Sequence, residues 1–135
     1  MSSEETAEIA RRLLSDIGSG REPDRIALLF SKDVRFEIPG DIGALPWIGQ
    51  ANGRGAVSEF IHGTRTLIER VKFDVHGILV DNDRAVIFGD LASKFLATGR
   101  MVESPFAMIL TISEGKITRF QMLEDTFAVS RASRP

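Results

Sequence analysis

The sequence predicts an α+β fold in which helices from the first half of the chain pack on one face of an antiparallel sheet. Helical periodicity is confined to the first half, whereas the second half holds three long apolar runs, at residues 84–96, 101–113 and 116–125. Only residues 97–100 and 114–115 separate these runs. Connections this short permit only hairpins, so the three runs should form neighbouring antiparallel strands.

The bulk composition narrows the class of protein. A chain of 135 residues with a net charge of −2 predicts one globular domain, residues 1–135, and gives no reason to expect nucleic acid as a partner. The chain has no cysteine and only two histidines, so we expect no disulfide, no metal and no cofactor. The first residues are acidic and no apolar run approaches a membrane span, which predicts a cytoplasmic protein without a membrane partner.

Two helices are predicted before the first strand. Ser2 or Ser3 can cap the first helix, because Ser2 and Glu5 have the spacing of a capping box, and Gly18 ends it. Its apolar face consists of Ile9, Leu13, Leu14 and Ile17. Pro23 suits the first turn of a short second helix. The inward side chains of that helix are Ile26, Leu29 and Phe30.

The middle of the chain alternates strand, loop and helix. Residues 34–38 are predicted to form a strand. The loop over residues 41–53 carries several apolar side chains, including Trp47, and a loop of this kind covers either core or a binding cavity. A third helix is predicted over about residues 56–69, followed by a strand over residues 71–80.

Three helices lying across the concave side of a long twisted sheet would leave a cone that is open at one end. The strand at residues 84–96 is apolar on both faces, with Val86 and Phe88 on one and Ile87 and Leu91 on the other. One face packs inside the subunit, and the other needs a cover. A homodimer formed through the sheet face is the expected cover.

Several short motifs carry a family resemblance that spans about residues 7–129. They are the helix at residues 24–30 running into Asp33-Val34-Arg35-Phe36-Glu37-Ile38-Pro39-Gly40, then Trp47-Ile48-Gly49, residues 53–57 with Phe60, and residues 114–117 with 123–126. In order and spacing they resemble the SnoaL-like proteins of the ketosteroid isomerase and nuclear transport factor 2-like superfamily. The resemblance implies a cone-shaped α+β barrel with a strongly curved antiparallel sheet, a hydrophobic pocket and a dimer. Members of this superfamily include isomerases, polyketide cyclases, epoxide hydrolases and many non-enzymes, so fold does not settle function.

The chain departs from the ketosteroid isomerase pattern at each catalytic position. The position of the general-base aspartate is Ile38, that of the oxyanion-binding tyrosine is about Leu14, and that of the second aspartate is Ala107. With base and oxyanion donors absent, isomerisation by that mechanism is not expected.

The epoxide hydrolases and cyclases of the superfamily are more similar at two carboxylates. Asp90 and Asp125 fall where the resemblance implies the two hydrolase aspartates, but Phe88 replaces the arginine that bridges them. Two close carboxylates without that cation would share a proton, with one pKa raised. Asp125 also corresponds to the single acid/base aspartate of the cyclases.

We therefore take Asp125 and Asp90 as the candidate catalytic residues, and each has a structural alternative. Asp125 could instead cap a terminal helical turn at Thr126 and Phe127. Asp90 could form an ion pair with Lys94 or an arginine, or lie exposed at a bulge near Gly89.

The expected ligand is a small hydrophobic molecule, because an apolar cone with few polar groups is typical of ligand sites. The candidate substrate-binding residues are Leu14, Ile17, Phe36, Ile38, Trp47, Phe60, Phe88, Phe106, Met108 and Leu123. Three functions remain open: a cofactor-free isomerase, cyclase or hydrolase that uses aspartate acid/base chemistry, a non-catalytic small-molecule-binding homodimer, or an interaction module whose function is its sheet face.

Overall fold

The computed structural model describes residues 2–135, which form four helices and six strands. The helices are α1 (Ser3–Gly18), α2 (Pro23–Ala27), α3 (Arg54–Thr66) and α4 (Thr126–Ala132). The strands are β1 (Phe30–Ile38), β2 (Gly49–Asn52), β3 (Ile68–Asp81), β4 (Arg84–Phe95), β5 (Met101–Ser113) and β6 (Lys116–Leu123). None of the helices in residues 2–135 has the length and apolar character that crossing a bilayer requires.

The strands form one six-stranded sheet in the order β2-β1-β6-β5-β4-β3. The predicted hairpins are confirmed, since β4 pairs antiparallel with β5 and β5 with β6. Among the described strands, one pairing is parallel, and it joins β1 to β6. Because β2 and β3 are free edges, the sheet does not close into a barrel.

Long-range pairing changes the second predicted helix. Leu29 and Phe30 were expected on its inner face, but α2 ends at Ala27 and Phe30 begins β1. Phe30 lies opposite Ile117 of β6, whose backbone N–H donates to the carbonyl of Leu29 at 3.0 Å. The helical spacing in the sequence is therefore overridden by the contacts that the sheet offers.

The two faces of the sheet have different surroundings. The inner face packs under α1, α2 and α3 in one hydrophobic core, as the sequence predicts. At its centre the rings of Phe36 and Phe120 stack with centroids 4.9 Å apart. Phe60 of α3 packs 5.3 Å from Phe36, and Phe30 lies 6.1 Å from Phe120. These four rings fill the middle of the interior with close-packed side chains.

Within residues 2–135, the opposite, outer face carries no helix, and β3 has a bulge there. The register of β3 on β4 shifts between Val75 and Gly77, which leaves His76 as the extra residue opposite Gly89. A Cβ atom on Gly89 would collide with the carbonyl oxygen of Asp74. Glycine at position 89 therefore allows β3 to approach β4 closely at the bulge.

Candidate functional site

A cluster of polar side chains lies on the inner face where the rest of the surroundings are apolar. Arg70 comes from β3, Ser93 from β4, and Glu124 follows the last residue of β6. All three line one small cavity together with Thr64 of α3. We call this group and its cavity the Arg70–Glu124 compartment.

Strand alternation explains why these residues point inward. Glu124 has the same parity as Phe120 and Met122, whose side chains are buried on the inner face. Arg70 lies directly opposite Ser93 in the β3–β4 ladder. The register then shifts between Arg70 and Lys72, with Val71 as the extra residue, so that Lys72 is turned outward although it lies two positions after Arg70.

The guanidinium of Arg70 has few partners in the compartment. Its Nη1 donates to the Ser93 hydroxyl oxygen at 2.6 Å, and its Cζ lies 5.6 Å from the centre of the Phe73 ring. Among residues 2–135, no carboxylate oxygen lies within 4.0 Å of Arg70. A guanidinium has five N–H donors, so most of those of Arg70 remain available to a bound oxygen.

Burial changes the acidity of both charged groups. Burial raises the pKa of the Glu124 carboxyl, the nearby Arg70 charge opposes this rise, and the charge of Asp125 adds to it. Burial likewise lowers the pKa of the Arg70 guanidinium, and the charge of Glu124 opposes that change. The compartment thus holds a cation beside a carboxyl group that keeps its proton to higher pH than an exposed glutamate.

Trp47 forms part of the wall of the Arg70–Glu124 compartment. Its ring meets Phe60 edge-on, with centroids 5.7 Å apart, and lies against Gly63 of α3. Trp47 forms part of the wall of three cavities, of about 110, 20 and 10 Å³. The two smaller cavities are lined by Glu124 as well. With the indole in place, the free space beside Glu124 is about that of one water molecule.

The structure places the two predicted catalytic aspartates outside this compartment. Asp125 is exposed and is the N-cap of α4, where its Oδ1 accepts the backbone N–H of Ala128 at 2.9 Å. Asp90 lies on the outer face, and its Oδ2 is 3.1 Å from His76 Nε2, with 44% of its side chain exposed. The prediction that these carboxylates face the apolar interior is therefore wrong, and in both cases the structural alternative describes the contacts better.

Most of the predicted binding residues lie on the inner side. Six of them are in or against the core without lining the Arg70–Glu124 cavity: Leu14, Ile17, Phe36, Ile38, Phe106 and Met108. Trp47 and Phe60 do line that cavity. For Phe88 and Leu123 the prediction that they line the interior is wrong, because strand alternation turns both side chains onto the outer face. There, Ala107 of β5 lies between them, paired with Phe88 on one side and with Leu123 on the other.

Sequence reasoning missed the polar residues that the fold brings together. The sequence contains a signal for Glu124, because this residue continues the inward alternation of Phe120 and Met122. The next residue, Asp125, falls on the opposite phase of the same alternation. Arg70 had no such signal, because its inward direction depends on the register shift that follows it. Within the described residues, no three acidic or histidine side chains group as a candidate metal site.

The comparisons with known proteins define the class. The family model described as the SnoaL-like domain matches residues 10–120, and the chain belongs to this family. No curated protein matches the sequence. The fold is shared with solved structures of low sequence identity.

An NTF2-like protein from Burkholderia xenovorans LB400 is 21% identical, with 99% of each chain covered and a TM-score of 0.88. An NTF2-like protein of unknown function from Burkholderia pseudomallei K96243 is 20% identical, with 100% of each chain covered and a TM-score of 0.83. A hypothetical protein with a ketosteroid isomerase-like fold from Catenulispora acidiphila DSM 44928, solved with trimethylamine, is 20% identical. The structural match covers 93% of this chain and 92% of the Catenulispora chain, with a TM-score of 0.72. These similarities show the fold.

Proposed function

We propose that this SnoaL-like protein binds a small hydrophobic molecule in the Arg70–Glu124 compartment and transfers a proton on it, with Glu124 as the acid/base group. The observation that carries the proposal is the partly buried Glu124 carboxyl, which lines the same cavity as the Arg70 guanidinium. A carboxyl group with a raised pKa is suited to proton transfer near neutral pH. Glu124 takes the role that the sequence suggested for Asp125 and Asp90.

The arrangement favours chemistry at a carbon next to a carbonyl group. Arg70 and Ser93 supply N–H and O–H donors on one side of the cavity, and Glu124 supplies a carboxylate on the other. When ionised Glu124 removes a proton from the carbon, the electron pair moves to the carbonyl oxygen, and the Arg70 charge stabilises the resulting oxyanion. In a β,γ-unsaturated ketone, return of the proton from Glu124 to the γ carbon completes an isomerisation. In a dicarbonyl compound, the carbanion attacks the second carbonyl carbon, and the proton of Glu124 passes to the alkoxide that forms, which completes a cyclisation.

Ligand access requires a movement of Trp47. The cavities of about 20 and 10 Å³ beside Glu124 are too small for an organic molecule. Trp47 is part of the wall of both, and the loop between β1 and β2 that carries it has no regular secondary structure over residues 39–48. Outward rotation of this one side chain would join the two cavities into one binding space.

The proposal is tested with cyclohexanone, a small apolar ketone, by following exchange of its α-hydrogens in D₂O by NMR. Wild-type protein is expected to accelerate exchange. Glu124→Gln should reduce the protein-catalysed exchange rate by a factor of about 10² to 10⁴, which is the usual contribution of a positioned acid/base group. Glu8→Gln, on the exposed side of α1, is the matched control. Equal exchange rates for the wild type and Glu124→Gln would remove Glu124 from the mechanism.

A non-catalytic binding protein with the same compartment is the second candidate function. The absence of a tyrosine from the whole chain favours it, because the oxyanion-binding tyrosine of the isomerase pattern is missing. Under this candidate, cyclohexanone changes the fluorescence of Trp47 without any exchange of its α-hydrogens. Trp47 is the only tryptophan in the chain, so its emission reports on the surroundings of this one ring, which lines the compartment.

The proposed partner is a second copy of the chain, bound through the outer face of the sheet. Six apolar residues form two cross-strand rows at its centre, where β3, β4, β5 and β6 lie side by side. They are Leu79, Val86 and Ile109 in one row and Phe88, Ala107 and Leu123 in the other. Leu79 is 62% exposed and Leu123 is 40% exposed, so this surface is apolar and open in the single chain. Two copies related by a twofold axis would bury the same surface on each.

A further inference from the structure

The guanidinium of Arg70 is a charged group on the inner face that has no carboxylate of residues 2–135 in contact. An arginine stays protonated at every pH that the protein experiences, so its positive charge is fixed. Within the described part of the chain, the only side-chain acceptor that bonds it is the neutral hydroxyl of Ser93, at 2.6 Å. Burying a charge without an ionised partner in direct contact is unfavourable, and an anion that reached the free N–H groups would relieve that cost.

The charges around this guanidinium are few. Glu124 lies beyond 4.0 Å, and its charge opposes the lowering of the Arg70 pKa by burial. The polar side chains that α3 and β4 contribute to the cavity, Thr64 and Ser93, are uncharged, and apart from Arg70 and Glu124 the remaining lining is apolar. Asp125, which also affects Glu124, caps α4 on the solvent side. No carboxylate of the described residues therefore occupies the donors of Arg70.

From this geometry we infer that the compartment selects an apolar monocarboxylate, with its carboxylate on Arg70 and Ser93 and its hydrocarbon part against Trp47 and Phe60, and that Glu124 takes up a proton when the ligand binds. The inference rests on the proposed function, because it uses the same compartment and names the class of molecule bound there.

The proton uptake follows from electrostatics. A bound carboxylate places a negative charge in the small cavity that Glu124 also lines, and a like charge disfavours ionisation of Glu124. The same anion neutralises Arg70, which until then favours the ionised form of Glu124. Both changes raise the pKa of Glu124 in the complex, so binding of the anion and protonation of Glu124 reinforce each other.

Two probes of nearly equal shape separate charge from hydrophobic contact. Cyclohexanecarboxylate and cyclohexanecarboxamide differ in charge but not in hydrocarbon size, and both can be titrated against Trp47 emission. We expect the carboxylate to bind about 10- to 100-fold more tightly than the amide, as a charge-assisted pair in a buried site would give. Calorimetry in two buffers of different ionisation enthalpy should show that the protein takes up a proton when the carboxylate binds, at pH values above the pKa of Glu124 in the ligand-free protein.

Variants assign the selectivity to Arg70. Arg70→Met should reduce the carboxylate affinity to about that of the amide, while the affinity for the amide stays within about twofold. Arg70→Lys keeps the charge without the planar fork, so it should retain part of the preference. Arg12→Met, on the exposed side of α1, removes the same charge elsewhere and should leave the preference intact. Glu124→Gln should bind the carboxylate without proton uptake.

The outcomes distinguish this inference from the proposed function. Equal affinity for the two probes, or a preference that survives Arg70→Met, overturns the inference, and Glu124-dependent exchange of cyclohexanone would still support the proposed function. A preference that depends on Arg70 supports the inference even when cyclohexanone shows no exchange, and the protein is then a binder. If neither probe changes Trp47 emission and cyclohexanone is inert, both are overturned.

Discussion

The indole ring of Trp47 lies directly on the backbone of Gly63. A Cβ atom added at Gly63 would be 2.8 Å from Trp47 Cε3 and closer still to Cζ3. No side chain larger than hydrogen fits between α3 and the ring, so the contact fixes how deeply Trp47 covers the Arg70–Glu124 compartment. The position of this ring is therefore the structural feature on which the proposed ligand access depends.

Gly63→Ala should displace Trp47. Alanine normally stabilises a helix interior by up to about 1 kcal/mol relative to glycine, but the overpacked contact should outweigh this and give a net loss of about 1–3 kcal/mol. Trp47 emission should shift to longer wavelength as the ring meets water. Gly55→Ala, in the same helix, is the control because its Cβ meets nothing within 4 Å. A stabilised Gly63→Ala with unchanged emission would contradict the described position of the ring.

Glu124 should make folding stability depend on pH. Its folded-state pKa is raised above the unfolded value, so the native state binds more protons, and the free energy of unfolding should fall as pH rises from about 4.5 through the raised pKa. Glu124→Gln cannot ionise and should lack this fall. Urea unfolding at several pH values between 4 and 8 measures the difference, with Glu8→Gln as the control. Parallel pH profiles for the wild type and Glu124→Gln would show that burial does not shift this group.

Gly89 should tolerate no side chain. A Cβ atom there would lie 2.9 Å from the carbonyl carbon of Asp74 and would collide with its oxygen, so β3 must move away from β4. We expect Gly89→Ala to cost about 3 kcal/mol or more, among the larger effects of a single methyl group. Gly18→Ala, at the end of α1, meets nothing within 4 Å and should be close to neutral. Thermal unfolding followed by circular dichroism compares the two.

The outer face should hold two copies together. Phe88→Asp places a charge in the centre of the two apolar rows and should give a monomer, because a buried unpaired carboxylate is costly. Leu28→Asp also replaces an exposed apolar side chain, 53% exposed, but it lies after α2 and away from this face. Light scattering coupled to size-exclusion chromatography gives the masses. A wild type that is monomeric at high concentration would exclude this dimer.

The sequence predicted what depends on local pattern. The three hairpin-linked strands, the capped first helix and the inner apolar faces follow from spacing, alternation and turn residues, and the structure has them. The parallel contact of β1 with β6 had no local signal, because it joins residues far apart in the chain. It also decided that Phe30 begins a strand instead of continuing a helix.

The candidate site depended on small shifts of register that the sequence does not show. Position in the superfamily pattern predicts the two aspartates as catalytic residues, yet alternation turns Asp90 outward beside His76. Asp125 lies one residue past the inward-facing Glu124. Arg70 lies just before a bulge in β3 and points inward. The alternation of the sequence alone does not predict on which face of the sheet this cation lies. An error of one residue in the predicted register of a strand is therefore enough to select Asp125, an exposed helix cap, in place of Glu124, which lines the cavity.

The two roles of neighbouring carboxyl groups can be separated by substituting Asp125. Its Oδ1 accepts the N–H of Ala128, so Asp125→Ala should cost about 0.5–2 kcal/mol through loss of the N-cap. Asp125→Asn keeps a capping oxygen and should cost little. Both variants should keep the exchange of cyclohexanone within a few-fold of the wild type, whereas Glu124→Gln should lose it without loss of the cap. If Asp125→Asn instead abolished exchange at unchanged stability, the acid/base role would belong to Asp125, and α4 would have to move for its carboxylate to reach the compartment.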